Sequence, residues 1–116
     1  MISHVTVRTA KLQESVEFYQ WLLELPISRR FKTPAGEIVF LGVNETKLEL
    51  IGDSKAGPVN AIGLTIGFAV DDLDEKLEML DSRGFQHSDV ISPMPGVRFA
   101  FFTDLNGCGI QLLEEI

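Results

Sequence analysis

Hydrophobic residues recur along the chain in two patterns, one typical of strands and one typical of helices. Residues 3–8 and 64–70 alternate or run apolar as strands do, whereas residues 12–25 and 73–83 carry apolar side chains at helical spacing. Each helix is followed by three more predicted strands, at 27–32, 37–43 and 46–51 and then at 86–92, 97–102 and 109–114. The chain therefore predicts the order βαβββ twice.

Residues that stop helices stand at the ends of both predicted helices. Pro26 follows the first helix, and Gly84 follows the second, where glycine readily takes the left-handed conformation that closes a helix. Asp72, with Glu75 three residues later, resembles a capping box at the start of the second helix. The residues at the helix ends therefore support the helix bounds that the periodicity predicts.

The two halves also resemble each other in sequence, which indicates an internal duplication. HVTVRTAKLQESVEFY at 4–19 aligns with TIGFAVDDLDEKLEML at 65–80, an offset of 61 positions. FLGVNETKLELI at 40–51 aligns with FTDLNGCGIQLL at 102–113, an offset of 62 positions. We attribute the difference of one position to a small loop insertion.

A loop-like composition separates the two halves. Residues 53–61 collect Gly, Ser, Pro and Asn, the composition of a connecting loop. We predict one domain, residues 1–116, in which a first βαβββ module at 1–52 and a second at 62–116 are joined by this linker.

Side chains alternate across a strand, so the first strand presents polar residues on one face and valines on the other. The polar positions and their repeat equivalents in the second half are His4, Thr6 and Arg8, and Thr65, Gly67 and Ala69. A solvent-exposed sheet face would more naturally carry long charged side chains than small ones, so we favour a cavity over simple exposure. We predict an α+β fold in which the two modules form a curved mixed sheet around a cup-shaped cavity.

Composition excludes several classes of partner. Seventeen acidic and ten basic residues give a net charge of −7, whereas nucleic-acid binding needs clustered Lys and Arg. No basic run or long apolar run suggests a membrane. The single Cys108 forms no internal disulfide, and the N-terminus resembles no secretion signal. We expect a soluble cytoplasmic protein that binds neither nucleic acid nor membrane.

Three segments of the chain resemble the vicinal oxygen chelate superfamily, which includes glyoxalases, bleomycin resistance proteins and extradiol dioxygenases. They are HVTVRTAKLQESVEFYQWLLEL at 4–25, GFAVDDLDE at 67–75 and FAFFTDLNGCGIQLLE at 99–114. The last segment is similar to the family's closing pattern of an aromatic strand, a D-P-D-G-like turn and an I-E-L strand. The resemblance covers nearly the whole chain, but it selects no single activity because this fold hosts many chemistries.

The resemblance implies metal ligands at four repeat-related places, which here hold His4, Glu49, Thr65 and Gln111. His4 and Glu49 are good ligands for a divalent ion, whereas Thr65 replaces the usual histidine and Gln111 the usual glutamate. The implied metal set is His4, Glu49 and Gln111, for zinc, nickel, manganese or iron. The set is the same whether the modules pair within one chain or across a dimer.

Two functions stay open. The first, similar to that of bleomycin resistance proteins, is metal-free binding of a small organic molecule in the cup, and the loss of two ligand places favours it. The second is a divalent-metal-dependent lyase, isomerase or dioxygenase that acts on a substrate with vicinal oxygens, with Glu49 also transferring protons. The expected ligand contacts are Thr6, Arg8, Phe40, Thr65, Arg98, Phe102 and Gln111.

Two further expectations concern Arg8 and the oligomeric state. Arg8 either holds a substrate carboxylate, as the resemblance to glyoxalases implies, or forms a salt bridge with Glu49. The resemblance also implies a homodimer. Cys108 lacks a partner base in the sequence, so we expect no nucleophilic role for it.

Overall fold

A computed structural model describes all residues from Met1 to Ile116. The chain divides into two compact units, Met1–Val59 and Asn60–Ile116. Each unit contains one helix and one four-stranded mixed sheet, and each has the element order βαβββ. The predicted α+β fold of two βαβββ modules is therefore confirmed. No helix in either unit combines the length and the apolar character that crossing a membrane requires.

The first unit builds its sheet in the order β1-β4-β3-β2. The first strand is parallel to the fourth, and the other neighbours are antiparallel. Its elements are β1 (His4–Thr9), α1 (Leu12–Leu23), β2 (Ile27–Thr33), β3 (Gly36–Leu41) and β4 (Lys47–Gly52).

The second unit repeats this topology in the order β5-β8-β7-β6, with β5 parallel to β8. The strand predicted at 86–92 starts later than expected, because before Ile91 only an isolated bridge from His87 to Phe102 pairs with the sheet. The elements are β5 (Ile66–Ala69), α2 (Leu73–Ser82), β6 (Ile91–Met94), β7 (Val97–Thr103) and β8 (Gly109–Glu115).

The capping signals predict the ends of α2 correctly and the end of α1 less so. The Asp72 carboxylate accepts the Glu75 N–H at 3.1 Å, and Gly84 has a left-handed φ of 77°. The first helix stops at Leu23, two residues before the predicted end, because Glu24 itself turns left-handed at φ 54°. Its amide closes the last turn by donating to the Gln20 carbonyl at 3.1 Å.

Each helix packs on one face of the sheet in its own unit. In the first unit this face carries buried apolar side chains from both layers: Val7, Val39, Leu41, Leu48 and Leu50 from the sheet, and Val16, Tyr19 and Leu22 from the helix. Burying such a side chain contributes about 1.5–3 kcal/mol, so this layer fixes which way every strand residue points. We call the opposite side of each sheet its helix-free face.

A buried carboxylate joins the start of α2 to β7 and β8. One Glu114 oxygen accepts the Leu73 N–H at 2.8 Å, and the other lies 3.3 Å from an Arg98 nitrogen. Arg98 also donates to both carboxylate oxygens of Asp74, at 2.9 and 3.3 Å, and this hydrogen bonding lowers the pKa of Asp74. The negative charge lies at the positive end of the helix dipole, which adds to the attraction.

Replacing Glu114 should therefore destabilise the second unit. We expect Glu114→Ala to lower the free energy of unfolding by about 2–3 kcal/mol, because it leaves the Leu73 amide and the Arg98 guanidinium short of a partner. Glu115→Ala, at the exposed neighbouring position, is the matched control and should change stability by less than about 0.5 kcal/mol. Urea unfolding followed by circular dichroism measures both, and equal losses would contradict the role given to Glu114.

Candidate functional site

The helix-free face of the first sheet carries a small polar cluster on β1 and β4. The parallel pairing of these strands places Thr6 opposite Glu49. The Thr6 hydroxyl donates to a Glu49 carboxylate oxygen at 2.5 Å, and the His4 Nε2 atom lies 3.5 Å from the same oxygen. The Glu49 side chain is only 12% exposed, so it needs these partners.

His4 contacts polar groups through its ring nitrogens and an aromatic residue through its ring. The Ser3 hydroxyl lies 2.9 Å from Nδ1 of the ring, so both ring nitrogens face polar groups. The Phe40 ring meets His4 edge-on at a centroid distance of 5.4 Å, and Phe31 stacks on Phe40 at 6.4 Å. The Glu49 carboxylate and the Phe40 ring therefore both lie next to His4, and small-molecule sites typically combine polar and aromatic groups in this way.

A cavity of about 300 Å³ opens beside this cluster in the first unit. Its volume is at the lower end of the range of about 300–1,000 Å³ found for small-ligand pockets. The lining residues are Ser3, His4, Ser28, Arg29, Phe40 and Lys47. His4 and Phe40 connect this cavity to the Glu49 cluster.

Arg8 does not form the salt bridge with Glu49 that was one of its two expected roles. It lies on the same helix-free face, where it is exposed, and its side chain makes no hydrogen bond or ion pair. Glu49 instead takes His4 and Thr6 as partners, because Thr6 is its direct neighbour on β1 whereas Arg8 lies opposite Ile51. The Arg8 guanidinium thus stays open to solvent.

The helix-free face of the second sheet is neutral at the corresponding positions. Gln111 on β8 lies opposite Gly67 on β5. A Cβ atom added at Gly67 would lie 3.5 Å from Oε1, the side-chain amide oxygen of Gln111. Thr65 comes directly before β5 and is exposed, as are Gly67 and Ala69. The small residues expected on this face are present, and the amide has no charged neighbour on the paired strand.

The strand register corrects the alignment of Phe40 with Phe102. Phe40 lies opposite Glu49, and Phe101 lies opposite Gln111, so Phe101 is the structural equivalent of Phe40. The extra residue of the second half therefore lies between β7 and β8 rather than before β7. A shift of one residue moves a side chain to the opposite face of a sheet, which is why Phe102 is buried under α2 at 5% exposure.

Arg98 is the second residue that the structure places away from the expected lining. Its side chain points toward α2 and forms ion pairs with Asp74 on that helix and with Glu114 on β8. The aromatic residues on the helix-free face of this sheet are Phe99 and Phe101, in edge-on contact at 5.6 Å, and neither was predicted from the sequence. The proposed site therefore omits Arg98 and Phe102.

The donor atoms near His4 provide only part of a metal site. His4 and Glu49 contribute one nitrogen and one carboxylate on the same face. Nowhere in the chain do three or more His, Cys, Asp or Glu side chains gather in a group that could hold an ion. Catalytic zinc sites use three protein ligands, so these residues do not fit a resident metal by themselves.

Cys108 lies in the turn before β8 and is 7% exposed. Burial raises the pKa of its thiol to about 11, and the charge of Asp104 adds to the effect. Because the thiolate is the reactive form, this environment suppresses reactivity rather than promoting it. The structure thus provides no activated nucleophile here.

The Cys108 thiol should accordingly resist alkylation in the folded protein. At pH 8 we expect iodoacetamide to react at least roughly 100-fold more slowly in the native state than in 8 M urea, where the thiol regains its ordinary pKa. Mass spectrometry of timed samples measures the rates, with Cys108→Ser as the unlabelled control. Equal native and unfolded rates would mean that the turn opens freely.

Comparison with known proteins identifies a family. The model of the Glyoxalase/Bleomycin resistance protein/Dioxygenase superfamily matches residues 1–112. Among curated proteins, none matches the chain.

Several solved structures share the fold. Glyoxalase I of Leishmania major, described as trypanothione-dependent, is 24% identical over 99% of this chain and 86% of its own, with a TM-score of 0.82. TnmS3, an antibiotic binding protein from Streptomyces sp. CB03234, is 17% identical over 100% and 96%, with a TM-score of 0.74. A mutant of the fosfomycin resistance protein FosX from Listeria monocytogenes, complexed with Mn(II) and 1S,2S-dihydroxypropylphosphonic acid, is 16% identical over 97% and 87%, with a TM-score of 0.77. At these identities the likeness shows the fold alone.

Proposed function

Because the chain belongs to the Glyoxalase/Bleomycin resistance protein/Dioxygenase superfamily, we propose that it binds a small organic molecule on the helix-free face of its first sheet. One observation carries the proposal: a cavity of about 300 Å³ lies beside a part-buried carboxylate and an aromatic wall. Such a site binds by contact with an apolar group and by a few oriented hydrogen bonds.

Several residues of the first unit contact different parts of the ligand. Phe40 offers a ring face and edge to an apolar part of the ligand. Glu49 accepts hydrogen bonds from the ligand, and Thr6 fixes the orientation of its carboxylate by donating at 2.5 Å. Arg8, which has no partner in the protein, pairs with a negative group of the ligand that reaches the far end of β1.

Gln111 and Thr65 stay predicted ligand contacts in the second unit. An amide both donates and accepts hydrogen bonds, so Gln111 suits a neutral polar group better than a metal ion. The antibiotic-binding TnmS3 provides a precedent within this fold for binding. The homodimer expected from the resemblance also stays a prediction.

A divalent-metal-dependent lyase, isomerase or dioxygenase is the alternative. The Mn(II) complex of FosX gives it a precedent within the fold, and the closeness of His4 Nε2 to Glu49 favours it in this chain. The neutral side chains of Thr65 and Gln111 argue against this alternative, because they replace two of the four metal ligands in the family's pattern. Metal-free binding therefore accounts better for the residues present, and no reaction step is assigned to an ion.

The binding proposal predicts that variants of the cluster lose ligand affinity. A chemically diverse library is screened by ligand-observed NMR, and affinities of the hits are measured by calorimetry. We expect Glu49→Gln and Phe40→Leu each to weaken binding about tenfold, because each removes one contact worth about 1.4 kcal/mol. Glu45→Gln, at an exposed turn position of the same unit, is the matched control and should leave affinity unchanged. A library without hits, or hits that bind all variants alike, would contradict the proposal.

Metal content separates the two functions. The protein is purified without chelator and without nickel resin, and its metals are measured by mass spectrometry. We expect less than one divalent ion per chain, and no decrease in His4→Ala or Glu49→Ala, because two ligands hold an ion only weakly. A full equivalent of metal that disappears in both variants would support the metal-dependent alternative.

A further inference from the structure

Two basic side chains line the cavity of the first unit without any partner in the protein. Arg29 on β2 lies opposite Phe40, and Lys47 on β4 lies opposite His4. Both residues border the cavity, and neither side chain makes a hydrogen bond or an ion pair. Two positive charges thus face one small space without a neutralising group.

The neighbouring residue Arg30, in contrast to Arg29, has partners in the protein. Arg30 points to the other side of β2, where Glu37 binds it at 2.8 Å and Gln13 at 3.0 Å. Arg98 in the second unit is likewise paired with carboxylates. In a chain with seventeen acidic residues, partners are abundant, yet none is supplied to Arg29.

The remaining lining also suits a negative ligand. No acidic residue borders the cavity. Ser3, Ser28 and His4 add neutral polar atoms, although the Ser28 hydroxyl donates to the Phe40 carbonyl and both ring nitrogens of His4 face polar groups. Glu49 lies beside this space, but it does not border the cavity, and one of its oxygens is occupied by Thr6 and His4. The cavity therefore differs in charge from the acidic protein around it.

We propose that this cavity recognises an oxyanion, a carboxylate or a phosphonate or phosphate group, through Arg29 and Lys47. The apolar or aromatic part of the same ligand rests against Phe40. Arg29 suits this role because a guanidinium binds such groups through two parallel hydrogen bonds, and Lys47 adds a point charge. The inference rests on the proposed function and names its ligand class.

The net charge of −7 does not oppose this assignment. At physiological ionic strength, charges farther away than about 8 Å are largely screened, whereas groups that line the cavity act at contact distance. Local charge therefore decides selectivity, and overall charge affects mainly the rate of approach.

Four probes with the same ring test the inference on the full chain: benzoate, phenylphosphonate, the neutral benzamide and the cationic benzamidine. Chemical-shift changes of the backbone amides are followed during titration at constant ionic strength. We expect either or both anions to bind at least tenfold more tightly than benzamide, and benzamidine to bind most weakly. The stronger of the two anions identifies whether a carboxylate or a phosphonate group is preferred.

Variants assign the effect to the two cations. Arg29→Gln and Lys47→Gln should each weaken anion binding about tenfold and leave benzamide unchanged, because only the charge is removed. Lys55→Gln removes one exposed positive charge elsewhere in the first unit and should leave all four affinities unchanged. Circular dichroism checks that each variant folds.

The outcomes distinguish this inference from the proposed function. If neutral or cationic compounds bind this face and the anions do not, the oxyanion assignment is overturned and small-molecule binding stands. Anion binding that survives in the Arg29→Gln, Lys47→Gln double variant also overturns it. If neither the four probes nor any compound of the larger library perturbs residues of the helix-free face, both are overturned.

Discussion

The parallel pairing of β1 with β4 is the contact on which the first unit's site depends. It sets Thr6 beside Glu49 and His4 beside Lys47, and thereby places the cluster and one wall of the cavity. Buried Leu48 and Leu50 hold this register. A slip of one residue would turn Glu49 under α1, and burying an unpaired carboxylate there costs several kcal/mol. The core thus enforces the geometry of the opposite face.

The same pairing in the second unit displays different chemistry. There Gln111 lies opposite Gly67, so an amide faces a residue without a side chain, whereas in the first unit a carboxylate faces a hydroxyl donor. A neutral amide requires no counter-charge, which agrees with the neutral Thr65 at the place equivalent to His4. The two units therefore carry different charges at corresponding positions of the duplicated scaffold.

Sheet arginines with carboxylate partners and those without partners lie on different faces. Toward the helices, Arg30 and Arg98 are neutralised by carboxylates. On the helix-free face of the first sheet, Arg8 and Arg29 have no partner. Paired charges contribute to holding elements together, whereas unpaired ones on a cavity wall are available to a ligand. This division supports binding on the helix-free face.

Alternation and duplication were sufficient to predict the element order and the faces of β1, because apolar and polar residues alternate on that strand. The α2 caps were predictable from Asp72 and Gly84, whose local chemistry marks helix ends. The face of each β7 residue was not predictable, since Phe99, Ala100, Phe101 and Phe102 are all apolar and only the pairing with β8 shows which of them lie under α2. Adjacent Arg29 and Arg30 pose the same problem in β2. Hydrophobicity indicates which segments contribute to the core, but only contacts between residues distant in sequence decide which face a side chain takes, which charge is neutralised and which charge faces a cavity.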